Sequence, residues 1–400
     1  MLGVPLVTIP ARESGITTTP EVDDVVPVPA ARSVFLDLAR AVAILMMLQG
    51  HTLHTVLAVE SRAGAAFYIW SLLRGLTACM FLMLAGFVFT FATHRHWADH
   101  PALRAPVMRR LRRFAFFLLV GYMLHFPMAK LAHLYGMSEE RWRSFLIVNV
   151  LQCIAVMLAV LQGLVLAART PKRYATFAII GSVAIVALTP AVWRTDWTDG
   201  LPLVLAGYLS PSTGSLFPLF PWGAYVLLGA GLGYIYARHD AARIASFGNR
   251  VLIPGGVALL ALAFIGTRTP FAPLGPTDFW STSPSQFLLR AGAVLLIFGA
   301  LAHVSQRISR PPYIVQALAQ ESLLIYAVHL CIVYGSVWNL GLRQLVGPTL
   351  TVLPALGCVV GLWVSMALLA GAWYWCKHHE PGIAQWIRVG VPSLLLGRLL

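Results

Sequence analysis

The chain alternates between long apolar runs and short polar stretches. The runs are about twenty residues long, which is the length that an α-helix needs to cross the hydrocarbon core of a bilayer. Windows of this length predict ten spans, at roughly 35–57, 71–92, 111–129, 145–167, 175–193, 216–237, 251–267, 287–304, 317–338 and 350–376. The pattern therefore predicts an all-α fold, a polytopic membrane bundle of about ten transmembrane helices.

The two ends of the chain differ from the apolar middle. Residues 1–31 are rich in Pro, Val and Thr, and they lack the basic stretch followed by an apolar stretch that marks a cleaved signal peptide. We interpret residues 1–31 as a flexible N-terminal tail. Residues 32–376 then form one transmembrane domain, and residues 377–400 form a C-terminal tail.

Composition and charge agree with a membrane protein. Hydrophobic residues make up 58% of the chain and charged residues 11%, whereas a soluble domain has about 25% charged residues. The net charge of +14 comes mostly from Lys and Arg in short loops, so it indicates membrane orientation and predicts no nucleic-acid partner. With the N-terminus inside, the inside segments hold about twice as many Lys and Arg as the outside segments, which predicts that both termini are cytoplasmic.

Two ionisable residues, Arg40 and His51, lie within the first apolar run. Eleven residues make about three helical turns, so both side chains share one face and lie roughly 16 Å apart along the axis. Such residues in a span usually face a protein interior or a water-filled cavity. One interpretation is a general base at His51 with Arg40 lining the same path. The other is a snorkelling arginine and a structural histidine. Asp37, one turn before Arg40, is a candidate partner for it.

A basic run, RRLRRF, stands at the mouth of the third predicted span. Its arginines at 109, 110 and 113 are typical of a topology signal that contacts anionic lipid headgroups. They equally match the requirements of a site for the phosphates of a cytoplasmic cofactor, because the guanidinium fork pairs with phosphate oxygens.

Polar residues on later spans indicate either a cavity wall or hydrogen bonds between helices. Ser322, Tyr326 and His329 follow helical spacing in the ninth span and share one face. Gln152, in the fourth span, is a candidate for a substrate contact or for helix packing. The five cysteines lack the spacing of a metal site. The spacing of the histidine pair 51 and 54 could suit a metal pair, but no third ligand cluster is visible, so no metal is predicted.

Several of these stretches resemble one superfamily, the integral-membrane acyltransferases. Its branch related to heparan-α-glucosaminide N-acetyltransferase and to bacterial surface-glycan O-acyltransferases is the most similar. The stretches that carry the resemblance are LDLARAVAILMMLQGH, RGLTACMFLMLAGFVFTF, RRLRRF, VLQCIA and ESLLIYAVHL, spread over most of residues 32–340.

The resemblance implies an acyl-CoA-dependent acyltransferase in a bacterial inner membrane. It would move an acyl group, commonly acetyl, from cytoplasmic acyl-CoA to a hydroxyl or amine of a carbohydrate or lipid-linked acceptor on the far side. The implied catalytic residues are His51 and Arg40; the CoA-binding residues are Arg40, Arg109, Arg110 and Arg113; the substrate-binding residues are Asp37, Gln152, Tyr326 and His329. Membrane lipids are expected partners, and Gly-rich seams fit either a homodimer or packing within one bundle. The alternative is a transporter or flippase with the same polar stripe as its conduit.

Overall fold

This computed structural model describes residues 34–100, 102–127, 130, 135–239, 244–268 and 275–399, so the predicted N-terminal tail lies outside the described residues. The described part of the chain forms sixteen α-helices. They are α1 Val34–Val56, α2 Gly64–Arg95, α3 Ala105–Met123, α4 Glu139–Phe145, α5 Val150–Ala168, α6 Pro171–Arg194, α7 Leu203–Ala206, α8 Leu219–Ala237, α9 Ile244–Phe247, α10 Ile253–Arg268, α11 Pro284–Gln306, α12 Tyr313–Gln320, α13 Ser322–Tyr334, α14 Leu342–Leu345, α15 Val352–His379 and α16 Pro381–Leu399.

Eight helical segments within the described ranges are long and apolar enough to cross a bilayer. They are α1, α2, α5, α6, α8, α11, α15 and the segment Ile244–Arg268, in which a π-helical turn, Gly248–Leu252, joins α9 to α10. The pair α12–α13, bent by 77° at a short break, is either a broken ninth span or a re-entrant loop. The prediction of an all-α, polytopic membrane bundle is confirmed.

The third predicted span corresponds to α3, which is amphipathic. Its first turns carry the basic run RRLRRF, and only the later turns are uniformly apolar. Because of these charges, α3 is not among the eight helical segments that are long and apolar enough to cross a bilayer. The position of α3 in the chain nevertheless agrees with the predicted span. At the other end of the chain, the segment predicted as a C-terminal tail contains the last residues of α15 and all of α16.

Helices α2 and α8 pack backbone against backbone because glycines line their contact. A Cβ atom added at Gly86, Gly229 or Gly233 would overlap a carbonyl oxygen of the facing helix. Helices in a bilayer associate through this kind of small-residue seam, since apolar side chains gain nothing by leaving lipid. The seam thus serves packing within one bundle.

Helix α1 lies between two apolar clusters and contacts both. One cluster is built on α2, α5, α6, α8 and α11, and α1 contributes Phe35, Ala39 and Ala43 to it. The other is built on α12, α13 and α15, and α1 contributes Ile44 and Leu48. Because α1 is the element common to both clusters, its remaining face borders the space between them.

Candidate active site

A large cavity of about 2480 Å³ lies between α1, α2, α3, α5, α13 and α15. Helix α15 runs antiparallel to α1, since Trp363 Nε1 donates to the Leu45 carbonyl oxygen at 3.1 Å and Leu350 pairs with Leu57. The cavity therefore has two polar ends. The Arg40 end is lined by Arg40, Arg110, Arg113, Glu321, Lys377 and Arg388; the His51 end is lined by His51, Arg62, Arg74, Arg290, Tyr334 and Arg343.

The imidazole of His51 meets two aromatic side chains of α13. Its Nδ1 lies 2.7 Å from the hydroxyl oxygen of Tyr334, a hydrogen-bond distance across 283 residues of sequence. The ring centroids of His51 and His329 are 5.3 Å apart. Tyr326 extends the cluster, because its ring centroid lies 5.8 Å from that of His329. His51 and Tyr326 face the cavity, and His329 is fully buried behind them.

His329 has a defined orientation within this cluster. Its Nδ1 donates to the Ile325 carbonyl oxygen at 2.8 Å, and a carbonyl can only accept, so Nδ1 carries a proton. In the neutral ring, the lone pair then lies on Nε2. That nitrogen is buried and has no hydrogen-bond partner among the described residues. This nitrogen lies behind the cavity wall, so it does not contact a ligand in the described arrangement.

At the other end, Arg110 is fixed in the cavity wall. Its Nη1 donates to Thr93 Oγ1 at 2.8 Å and to Gln162 Oε1 at 3.5 Å. Its guanidinium also lies 5.2 Å from the ring centroid of Phe89. These contacts hold the side chain in place and leave further donors for a ligand, since a guanidinium has five N–H groups.

The arginines of the basic run separate into two sets. Arg110 is half-buried and Arg113 is exposed, and both line the cavity. Arg109 is exposed and is not part of the cavity lining. Nearby, Lys377 of α15 forms an ion pair with Glu321, which sits at the bend between α12 and α13.

Three of the residues predicted to contact substrate lie behind the cavity surface, namely Asp37, Gln152 and His329. Asp37 is buried near the start of α1. Gln152 is fully buried in the contact between α3 and α5, where a Cβ added at Gly121 would lie 2.7 Å from its Cδ. The cavity is lined instead by Asn149, whose Nδ2 lies 2.9 Å from His125 Nε2.

The sequence reasoning missed five residues of the His51 end, among them Tyr334, Arg290 and Arg74. Tyr334 carries no sequence signal, because only the tertiary pairing of α13 with α1 brings it to His51. Arg290 lies inside a predicted span, so the argument that selected Arg40 also applies to it. Arg74 lies at the edge of the second predicted span, close to the positions to which the same argument applies.

Comparison with known families identifies the family to which the chain belongs. The family described as heparan-alpha-glucosaminide N-acetyltransferase, catalytic, matches residues 32–270, which is more than half of the 400-residue chain. The match contains Arg40, His51 and Arg110, and it ends before α11. A comparison with individually curated proteins found no match. The chain is a multi-pass membrane protein that belongs to the heparan-alpha-glucosaminide N-acetyltransferase catalytic family, a family of acetyltransferases.

Proposed function

We propose that this protein transfers an acetyl group from acetyl-CoA, through the membrane, to a hydroxyl or amine of a glycan or related acceptor. The observation that carries the proposal is one cavity with a basic end at Arg40 and Arg110 and a histidine, His51, at its opposite end. The two ends are roughly 16 Å apart, from eleven residues at about 1.5 Å per residue on α1. Such a cavity has room for a donor and an acceptor together.

The Arg40 end suits the nucleotide portion of acyl-CoA. Coenzyme A carries its phosphates at one end and its thioester at the end of a long neutral arm. Arginine forks and a lysine ammonium are the side chains that bind phosphates best. Arg110 and Arg113, with Arg40 beside them, are the proposed phosphate contacts. Arg109 lies outside the wall and would serve the approach of the nucleotide.

His51 is the proposed general base. In the tautomer that serves this role, Nδ1–H donates to the Tyr334 oxygen and the lone pair lies on Nε2. The acceptor oxygen or nitrogen attacks the thioester carbonyl carbon while Nε2 takes the acceptor's proton. The tetrahedral intermediate then collapses, the C–S bond breaks, and the imidazolium returns the proton to the CoA sulfur. The products are the acetylated acceptor and free CoA.

The other predicted residues have graded roles in this proposal. Tyr326 lines the cavity and would contact the acceptor, whereas His329 is buried behind His51 and would support the His51 ring. Asp37 and Gln152 are buried and would act indirectly, by holding the walls to which they belong. The Lys and Arg distribution supports a cytoplasmic Arg40 end, cytoplasmic termini and an extracytoplasmic acceptor, as in a bacterial inner-membrane enzyme.

The test is acetyl-CoA binding and hydrolysis by the purified protein in detergent. We expect saturable binding and slow hydrolysis in the wild type, with water as the acceptor. His51→Ala should abolish hydrolysis and retain binding. Arg110→Ala combined with Arg113→Ala should weaken binding by about tenfold or more, since each charge-assisted hydrogen bond is worth about 1.5–3 kcal/mol.

Arg112→Ala is the matched control for the arginine variant. Arg112 belongs to the same basic run, but it is exposed and outside the cavity wall. Its replacement should therefore leave acetyl-CoA affinity at the wild-type value. If neither acetyl-CoA nor a longer acyl-CoA bound at millimolar concentration, the acyltransferase proposal would be wrong, and a conduit for another substrate would take its place.

A further inference from the structure

Two arginines that the mechanism above does not use line the His51 end of the cavity. Arg74 of α2 packs against α1, because a Cβ added at Gly50, the residue before His51, would lie 2.9 Å from Arg74 Cγ. Arg290 of α11 reaches the same place from another side. Its Nη2 lies 3.7 Å from the Cβ position of Gly75, the residue that follows Arg74. Both arginines line the cavity at the His51 end.

Each of these guanidinium groups is held by an aromatic ring. Arg74 Cζ lies 5.4 Å from the ring centroid of Trp70. Arg290 Cζ lies 5.6 Å from the ring centroid of Trp222. A cation over an aromatic face is attracted to the ring and keeps its N–H donors free at the edge. Arg290 also forms a side-chain hydrogen bond with Tyr225. Because each guanidinium has five N–H groups, both side chains are oriented and still keep donors for an anion.

No carboxylate balances this pair of charges within the described part of the chain. The one acidic residue found in the described cavity lining is Glu321, at the Arg40 end, and it is already paired with Lys377. Arg74 and Arg290 are partly buried in helices long and apolar enough to span the membrane. Cations in such a position are costly unless an anion or water accompanies them.

We propose that Arg74 and Arg290 form an oxyanion subsite for the acceptor, so that the natural acceptor carries a carboxylate, phosphate or sulfate close to its reacting group. This inference rests on the proposed function, because it places the acceptor beside His51. The donor does not explain the subsite. Acyl-CoA presents its thioester at His51, and its phosphates lie at the far end of a long neutral arm. A negative charge at the His51 end has to arrive on the other substrate.

The experiment compares sugars that differ in one charged group. Equilibrium binding to the purified protein is measured for two pairs that differ only at C6, glucosamine with glucosamine 6-phosphate and glucose with glucuronate, and acetyl transfer to the same sugars is followed in parallel. We expect the wild type to bind the C6-anionic member of each pair about tenfold or more tighter than its partner, since bidentate guanidinium contacts to an oxyanion are strong. The preference should weaken as salt rises.

Arg74→Gln and Arg290→Gln should each bring the ratio of anionic to neutral affinity close to one. Arg74→Lys keeps the charge and loses the fork, so it should retain part of the preference. Arg268→Gln is the matched control. Arg268 stacks 4.8 Å from the ring centroid of Phe264, but it is exposed and lies outside the cavity, so its replacement should leave the ratio unchanged.

Binding is measured without turnover, so the two proposals fail separately. Intact acetyl-CoA hydrolysis with no preference for anionic sugars would overturn the subsite and leave the acyltransferase standing. Loss of acetyl-CoA binding, with an Arg74-dependent preference for anionic sugars still present, would overturn the acyltransferase proposal and leave the anion subsite standing. The subsite would also be overturned if Arg74→Gln weakened acetyl-CoA binding and left sugar binding unchanged. It would be overturned as well if phosphatidylglycerol displaced bound glucosamine 6-phosphate at a lower concentration than free glucosamine 6-phosphate does.

Discussion

The hydrogen bond between His51 and Tyr334 gives a sharp test of the proposed base. Tyr334→Phe removes one oxygen and keeps the ring, which meets the His51 imidazole edge to face with centroids 5.5 Å apart. The packing around His51 should therefore survive the change. What is lost is the 2.7 Å contact at Nδ1, which holds the ring with Nε2 available to the acceptor.

The size of the effect follows from the change in charge during the reaction. With neutral His51, the lost hydrogen bond is worth about 0.5–1.5 kcal/mol, and with the imidazolium that forms in the transition state it is worth about 1.5–3 kcal/mol. The difference of about 1–2 kcal/mol is what raises the barrier. We therefore expect the rate constant for acetyl-CoA hydrolysis to fall about 5- to 30-fold, at about 1.4 kcal/mol for each factor of ten.

The assay is single-turnover hydrolysis of acetyl-CoA, with the dissociation constant measured separately. A positioning role for Tyr334 predicts that the rate constant falls while acetyl-CoA affinity stays within about twofold of the wild type. Tyr313→Phe is the control, because Tyr313 donates to the Gly371 carbonyl oxygen at 2.6 Å and lies outside the cavity lining. It removes a comparable hydrogen bond with no expected effect on the rate.

A double-variant cycle decides whether Tyr334 works through His51. In the His51→Ala background, Tyr334→Phe should have no further effect on the residual rate, since the group that it orients is gone. An equal loss in both backgrounds would refute the reasoning, because Tyr334 would then act on the substrate or on the fold. A wild-type rate in the single variant would show that the hydrogen bond contributes nothing to the reaction.

Two further changes test the packing and the basic end. Gly229→Ala should lower the free energy of unfolding by at least about 1–3 kcal/mol, because its Cβ would overlap the Met83 carbonyl oxygen. The control is Gly163→Ala, which should be neutral or stabilising because no atom lies within 4 Å of the added Cβ. Equal melting temperatures of the two variants in detergent would contradict the packing role of the glycine seam. Thr93→Val should weaken acetyl-CoA binding about 2- to 10-fold, because Arg110 loses its 2.8 Å acceptor. Thr93→Ser keeps the hydroxyl and should bind acetyl-CoA with wild-type affinity. An equal loss of affinity in Thr93→Val and Thr93→Ser would contradict the role of this hydroxyl in holding Arg110.

Much of the fold could be predicted because hydropathy and length determine which segments can cross a bilayer. The ten predicted spans each coincide with a helix or helix pair. The details that were missed depend on neighbours. The 77° bend at Glu321 has no proline or glycine at the break, so the sequence predicted one straight span over 317–338. The bend accompanies the ion pair with Lys377, fifty-six residues later in the chain.

The site was predictable where it depends on one helix and unpredictable where it depends on two. His51 and Arg40 share a face of α1 because eleven residues are three turns, and both line the cavity. Gln152 was selected by the same argument, but it faces the neighbouring α3. Asn149 lines the cavity in place of Gln152. It is the residue that precedes α5, with extended backbone angles, so its side chain leaves the helical path on which the face argument relies.

The residues of the candidate site come from two parts of the chain, one inside the family match and one beyond it. The family match covers residues 32–270, which include His51, Arg74 and Arg110. The groups that surround His51 from the other side, Arg290 on α11 and Tyr334 on α13, lie beyond residue 270. A base that must lose and regain a proton at one fixed place needs its ring held from outside its own helix. In the proposed mechanism that support comes from Tyr334, beyond the match, so the orientation of the proposed base and part of the proposed acceptor subsite depend on residues that the family match does not contain.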